Sequence, residues 1–185
     1  MISLGIDTSC YTTSVALVDT QGGIRSERRL LPVKAGEAGL RQSEGVFLHN
    51  RQLPELLEQL FLNGGQRPDC VCASTAPRQD EASYMPVFLA GAGMARGLAA
   101  AMGIPFFSTD HQHGHLRAAR VGAGLKGDRY LALHLSGGTT DVLKCEHGQI
   151  EVCGTSLDLH AGQLVDRVGV MLGLPFPAGP SMEEL

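Results

Sequence analysis

Two histidines separated by three residues, His111 and His115, have the spacing of a metal-binding pair. Side chains at positions i and i+4 of a helix lie on one face, so both imidazole rings can reach one cation. His113 lies between them in sequence and is predicted to point away. A working site needs a third ligand, commonly a carboxylate, which the spacing does not identify. The alternative is a solvated first helical turn that happens to hold several histidines.

A second motif, Ser136-Gly-Gly-Thr-Thr140, lies between two strand-like segments. Turns rich in Gly, Ser and Thr expose backbone N–H groups that attract phosphate oxygens, although such turns also close ordinary hairpins. A similar turn stands near the start of the chain, where Ser9 aligns with Ser136 and Thr12-Thr13 align with Thr139-Thr140. Two such turns in register favour a nucleotide-binding protein in which both turns face the same ligand.

The apolar periodicity and the turn residues predict the elements that carry these motifs. Strands are expected at residues 2–6, 12–19, 24–32, 69–74 and 104–108, and helices at 47–62, 87–102 and 110–121, with a polar loop at 33–45. The strand–turn–strand pattern restarts at Arg129, and a helix at 159–172 is followed by a rigid Pro-rich loop at 175–180. An opening meander followed by alternating strands and helices is typical of the ribonuclease-H-like unit.

The restart predicts a duplicated fold. We expect an α/β protein of the actin-like ATPase architecture, in which a nucleotide lies between two ribonuclease-H-like lobes. The Gly-rich connector at 122–128 places the first, complete lobe at residues 1–124 and the start of a second lobe at 125–185. A complete second lobe would need about 100 further residues, a length typical of one domain.

Composition restricts the classes of function. The net charge of −4 argues against electrostatic binding of nucleic acid by this chain alone, although a basic partner could supply the charge. Five cysteines without a C-x-x-C pair indicate a reduced, cytoplasmic setting. The apolar run at 85–107 is interrupted by Pro86, Arg96 and Pro105, which excludes it as a membrane span.

Several motifs in this order resemble one family, the tRNA N6-adenosine threonylcarbamoyltransferases, formerly described as O-sialoglycoprotein endopeptidases or M22 glycoproteases. Gly5-Ile-Asp-Thr-Ser-Cys10 is similar to the family's opening GIETSC, and His111-xxx-His115 and Ser136-Gly-Gly-Thr-Thr140 resemble its histidine pair and its SGGHT turn. Ala161-Gly-Gln-Leu-Val-Asp-Arg167 is similar to the AGEAFDK helix, and Gly179-Pro180 follows it.

The resemblance implies a divalent metal, iron or zinc, held by His111 and His115 with an Asp near the family's C-terminus. It implies ATP or an acyl-adenylate as the nucleotide ligand, bound by His134, Leu135, Ser136, Gly137, Gly138, Thr139, Asp166 and Gly179. The implied reaction moves the threonylcarbamoyl group from threonylcarbamoyl-AMP to N6 of the anticodon-adjacent adenine of tRNA. The implied partners are tRNA, which the chain reaches through a larger complex, and either an actin-like-fold protein or a second copy of the chain. No contact with a membrane is implied. No catalytic residue is assigned.

The chain also departs from the family pattern. Tyr11-Thr12 replace an acidic pair, Thr139 replaces the His of SGGHT, and Gln163 replaces a Glu. Such changes remove possible bases and leave only hydrogen-bonding groups. Because the sequence stops at Leu185, before the family's later Asn and Asp, we expect a divergent, truncated member that is inactive alone.

Two alternatives remain. One is a non-catalytic paralogue of the same fold that dimerises or acts as a scaffold. The other, less favoured because the chain has no HExxH motif, is the metalloprotease of the family's older description. Apolar surface on an incomplete second lobe predicts self-association.

Overall fold

The computed structural model describes residues 1–33, 40–79 and 83–185, which form two compact units, Met1–Ala119 and Arg120–Leu185. Both units are α/β. In the described part of the chain, no helix is long and apolar enough to cross a membrane. The domain boundary expected after residue 124 stays a prediction.

The first unit is built on a five-stranded sheet. Its strands are β1 (Ile2–Asp7), β2 (Thr12–Asp19), β3 (Ile24–Leu30), β4 (Cys70–Ser74) and β5 (Phe106–Thr109), in the order β3-β2-β1-β4-β5. The β1–β2 and β2–β3 pairs are antiparallel, whereas β1–β4 and β4–β5 are parallel. The carboxyl ends of β1, β4 and β5 therefore meet at one edge, where α/β sheets commonly place their functional residues.

Three helices accompany this sheet: α1 (Gln42–Leu62), α2 (Phe88–Met102) and α3 (His111–Gly122). The core joins apolar residues of β1, β2 and β4 to one face of α1, which buries Leu53, Leu56, Leu57 and Leu60, and to Ala90, Ala95 and Ala99 of α2. Small side chains on α2 let that helix approach the sheet closely.

The beginning of α1 was predicted wrongly. The helix starts at Gln42 rather than at residue 47, and Pro54 lies inside it. Its first turn is polar and so lacks the apolar periodicity on which the prediction depended, but Gly45 packs against Val87 and holds that turn in place. Residues 34–39 of the expected loop lie outside the described residues.

The second unit contains the antiparallel sheet β6 (Arg129–Leu135), β7 (Thr140–Glu146) and β8 (Gln149–Thr155), followed by α4 (Ala161–Met171) and α5 (Gly179–Glu183). The short α5 occupies a segment whose beginning was expected to be loop. The other predicted strands and helices are observed, with ends shifted by one or two residues. The predicted class, α/β with an actin-like first lobe, is confirmed.

Candidate functional site

The histidine pair lies in the first turn of α3. The Nε2 atoms of His111 and His115 are 2.8 Å apart, and their ring centroids are separated by 4.2 Å. Asp110 caps the helix, because its Oδ1 accepts the backbone N–H of His113 at 2.9 Å and its Oδ2 contacts the His113 ring. The helix thus directs His111 and His115 to one point and turns His113 toward its own cap, as the spacing predicted.

Asp7, at the carboxyl end of β1, contacts the other nitrogen of His111. Its Oδ2 lies 2.9 Å from His111 Nδ1, and its Oδ1 accepts the Ser9 backbone N–H at 2.8 Å. Burial opposes ionisation of this carboxyl, but the hydrogen bond and electrostatic interaction with His111 and the hydrogen bonds with Ser74 and Ser9 outweigh it. Together they hold the pKa of Asp7 well below its usual range.

The two imidazoles fit a divalent cation, since their nitrogens converge and a carboxylate orients one ring, an arrangement common around metal-binding histidines. Phe88, buried in the first unit, packs its ring 6.2 Å from that of His111 and helps to hold it. Among residues 1–33, 40–79 and 83–185, no group of three His, Cys, Asp or Glu side chains is placed to hold a metal. The described residues therefore bring together two imidazoles and one carboxylate that contacts the first of them.

The turn between β1 and β2 is closed by the Thr12 N–H, which donates to the Ser9 carbonyl at 3.1 Å. Cys10 in this turn has a left-handed backbone, with φ of 40°. Below the turn, the buried Thr8 hydroxyl donates to the Val87 carbonyl at 2.8 Å and accepts the Gly91 N–H at 3.1 Å. The turn is thus fastened to the start of α2.

A buried polar cluster supports the same turn from α1. His49 is completely buried, and its Nδ1 lies 2.8 Å from the Thr13 hydroxyl, which also donates to Gln52 Oε1 at 2.7 Å. Burial lowers the pKa of His49, against the opposing effects of the Cys10 backbone and the Asp7 charge. This histidine is therefore a core residue, and its burial disfavours the protonated ring.

The second turn, residues 136–139, is closed differently. The Ser136 N–H donates to the Thr139 carbonyl at 2.8 Å, and the Gly138 N–H donates to Ser136 Oγ at 3.2 Å. The start of α4 holds the turn through three bonds: Ala161 N–H to Thr140 Oγ1 at 2.7 Å, Gly162 N–H to the Ser136 carbonyl at 3.1 Å, and Gln163 Nε2 to the Gly137 carbonyl at 2.8 Å. The amide of Gln163 thus donates where the family's Glu could not.

The remaining candidate nucleotide-binding residues also lie in the second unit. Asp166 Oδ1 accepts the Ala178 N–H at 2.8 Å, which places the Asp166 carboxylate beside the residue that precedes Gly179. His134 lies at the end of β6, opposite Asp141 of β7. Asp166 is therefore bonded to the residue beside Gly179, and Ser136 and Gly137 are bonded to the beginning of α4.

The sequence did not predict two sets of contacts, the one between Asp7 and His111 and the hydrogen bonds that join Thr13 to His49 and Gln52. The position of Asp7 could have been predicted. It ends β1, which runs parallel to β4 and β5, the strands that precede the histidine helix, so all three strands end at the same sheet edge. The cluster carried no such signal, since its members come from a strand and a helix far apart in sequence.

Comparison with known proteins agrees with this fold and these motifs. The family model described as tRNA N6-adenosine threonylcarbamoyltransferase matches residues 49–185, which include the histidine pair and the second turn. The chain belongs to this family of actin-like-fold proteins. It is 32% identical over its whole length to the enzyme of that name from Methanopyrus kandleri, and 32% identical to the one from Polaromonas sp.. It covers 54% and 55% of these relatives, so it spans about half their length.

Solved structures support the fold alone. YeaZ from Pseudomonas aeruginosa superposes with a TM-score of 0.55 at 18% identity, over 87% of this chain and 68% of that protein. The ethanolamine utilization protein EutJ from Carboxydothermus hydrogenoformans also gives 0.55, at 14% identity, over 100% of this chain and 62% of its own. Both likenesses cover part of the larger actin-like fold.

Proposed function

We propose that this chain supplies the metal-binding and adenylate-binding parts of a transferase. The transferase moves the threonylcarbamoyl group from threonylcarbamoyl-AMP to N6 of the adenine next to the anticodon in tRNA. The convergence of His111 Nε2 and His115 Nε2 within the family-matching segment carries the proposal.

In this proposal, His111 and His115 hold iron or zinc, both of which suit imidazole ligands. A bound divalent cation polarises a carbonyl or orients a phosphate group. The resemblance adds an Asp near the C-terminus of longer family members as a further ligand, and the present chain spans about half the length of such relatives. The chain's own contribution is to fix the two rings, through the Asp110 cap on α3 and the Asp7 carboxylate.

The nucleotide, ATP or an acyl-adenylate, is assigned to the second unit. The proposed contacts are the backbone of residues 134–139, with Ser136, Gly137 and Gly138 approaching closely because of their small side chains, and the loop at Asp166 and Gly179. N–H groups in such a turn can accept developing negative charge from a phosphate or from the reacting carbonyl. The bonds from Ala161 and Gly162 support this role, because they fix the turn before any ligand binds.

The proposed partners and cellular location rest on the composition of the chain and on its family. A chain of net charge −4 needs help to bind tRNA, so we place it in a larger complex. Its five free cysteines suit a reducing, cytoplasmic setting. An actin-like-fold partner or a second copy of the chain is the proposed neighbour. The domains proposed for such a complex are residues 1–124 and 125–185.

The first experiment measures metal content and Zn²⁺ affinity of the 185-residue chain, with ATP titration by calorimetry. The His111→Ala/His115→Ala double variant should lose the metal, whereas His113→Ala, on the same helical turn, should keep it. ATP binding should survive the double variant, since the proposed nucleotide contacts lie in the second unit. Equal Zn²⁺ affinity in the wild type and the double variant contradicts the metal assignment.

The scaffold alternative has one specific observation in its favour. The family has Glu at the position of Gln163. The Gln163 amide donates to the Gly137 carbonyl, so a possible base is replaced by a side chain that makes a structural hydrogen bond. A chain that binds neither Zn²⁺ nor ATP but self-associates in a sedimentation concentration series would support the scaffold. A monomer at every concentration would remove the self-association prediction.

A further inference from the structure

We propose that Asp7 is a positioning residue that sets the metal-binding tautomer of His111 and ties the histidine pair to the β1–β2 turn. This inference rests on the proposed metal role of His111 and His115. It assigns a function to a residue that neither binds the metal nor touches the nucleotide in our proposal.

The location of one hydrogen atom decides the tautomer. An ionised carboxylate can only accept, so the hydrogen between Asp7 Oδ2 and His111 Nδ1, 2.9 Å apart, belongs to the imidazole. A neutral ring with its hydrogen on Nδ1 carries a lone pair on Nε2, the atom 2.8 Å from His115 Nε2. Because a metal coordinates the unprotonated nitrogen, Asp7 keeps His111 ready to bind.

Both oxygens of Asp7 are engaged by hydrogen-bond donors. Oδ1 accepts the Ser9 N–H at 2.8 Å while Oδ2 faces His111. An asparagine side chain has one accepting oxygen and one donating NH₂ group, so it cannot accept from both the Ser9 N–H and the His111 ring. If its oxygen stays on Ser9, its NH₂ faces His111 Nδ1 and drives the ring hydrogen to Nε2, which blocks the metal-binding atom.

The same carboxylate connects the metal pair to the first turn. Ser9 directly precedes Cys10, whose left-handed backbone, with φ of 40°, is uncommon for a residue with a side chain. The Asp7–Ser9 bond helps to hold this turn. A cation that fixes His111 therefore also strengthens the contact that orders the Ser9 end of the turn.

Zn²⁺ titration calorimetry on the full chain tests the inference with three variants. Asp7→Asn should weaken Zn²⁺ binding about 10- to 100-fold, the usual cost of losing a carboxylate behind a metal-binding histidine. Asp7→Glu should stay within a few-fold of wild type, since it keeps both acceptors and matches the Glu of GIETSC. Asp19→Asn is the matched control, because Asp19 accepts the Gln21 and Gly23 N–H groups at the far end of β2. It should leave the affinity unchanged.

Long-range ¹H–¹⁵N NMR of the imidazole rings gives a readout that does not depend on metal. His111 should carry its hydrogen on Nδ1 in the wild type and on Nε2 in Asp7→Asn. A wild-type ring with its hydrogen on Nε2, or an Asp7→Asn variant with unchanged Zn²⁺ affinity, overturns the inference. If the wild type binds no Zn²⁺ while the tautomers behave as expected, the proposed metal function fails and the positioning role of Asp7 stands.

Discussion

The two Ser-containing turns look like copies in sequence but are closed in opposite ways. In the first, the Thr12 N–H donates to the Ser9 carbonyl, whereas in the second the Ser136 N–H donates to the Thr139 carbonyl. The first turn contains Cys10 in a left-handed conformation, and the second contains two glycines. The similarity of the two aligned segments thus predicts a turn in both places, but it does not specify which N–H groups each turn exposes.

The residues below the two turns differ in charge. Asp7 lies opposite Ser14 in the first pair of strands, while His134 lies opposite Asp141 in the second. In the first unit the carboxylate faces a histidine from another element, His111. The comparison indicates that the first turn is tied through Asp7 to the histidine helix α3, whereas the second is tied through its backbone to α4.

Each turn is also contacted by a helix glycine, and here the contacts differ in kind. A Cβ at Gly162 of α4 would lie 2.6 Å from both the Ser136 carbonyl carbon and the Gly137 nitrogen. A Cβ at Gly91 of α2 would lie 2.8 Å from Thr8 Oγ1. Backbone atoms cannot move aside independently, so the second turn is the less tolerant of the two.

The largest effect is therefore expected for Gly162→Ala. We expect a loss of about 3 kcal/mol in the free energy of unfolding, at the upper end for overpacking, together with loss of ATP binding. Denaturant unfolding and amide exchange at residues 136–140 measure it. Gly154→Ala, where the new Cβ meets nothing within 4 Å, is the control and should change stability little. Unprotected amides in the wild type would contradict the view that α4 holds this turn.

A smaller loss, about 1–2 kcal/mol, is expected for Gly91→Ala, because the Thr8 side chain must move and weaken its buried bonds. Gly97→Ala on the exposed face of the same helix should instead stabilise the protein by about 0.5–1 kcal/mol, the usual gain from replacing a helical glycine. Thermal unfolding of the two variants gives the comparison. Equal changes in melting temperature in the same direction would show that α2 does not pack closely against Thr8 below the first turn.

The smallest effect concerns pH and should appear only in the first unit. Because the pKa of buried His49 is lower when folded than its usual 6.5, the unfolded chain takes up the proton first as pH falls. The stability that depends on neutral His49 is fully present above pH 6.5 and is lost progressively below it. Denaturant unfolding from pH 7.5 to 5 should show this decline. His49→Gln should flatten the decline while lowering stability near neutrality by about 1 kcal/mol, the scale of one hydrogen bond.

An unchanged pH slope in His49→Gln would assign the decline to other groups. The groups around His49 are the Thr13 hydroxyl, the Gln52 amide, the Cys10 backbone and, through its charge, Asp7. Of these, only Asp7 is charged near neutral pH, and its depressed pKa keeps it ionised over the whole range. The histidine is therefore the group in this cluster that should produce the slope.

The two three-stranded meanders show that local sequence pattern determines where strands form, whereas tertiary contacts determine which of their residues are buried. β1 and β6 both begin a three-stranded meander, but β1 also pairs with β4 and its inward residues Leu4 and Ile6 are buried in the core. β6 is an edge strand, and Leu131 and Leu133 remain about 70% exposed. Alternating residues predict a strand in both cases, whereas burial depends on which strands and helices cover its faces.

Sequence alone determined the family and the order of the elements, apart from the first turn of α1 and the short α5. Periodicity, turn residues and motif spacing are local and can be read along the chain. The His111–His115 spacing is of this kind, since one helical turn brings the two rings together wherever the helix lies. Only the tertiary structure decided that Asp7 contacts His111, that Thr13 contacts His49, and that Gln163 bonds to the Gly137 carbonyl of the second turn. These pairs join residues far apart in sequence, and their hydrogen bonds depend on distances that exist only once sheet and helices have packed.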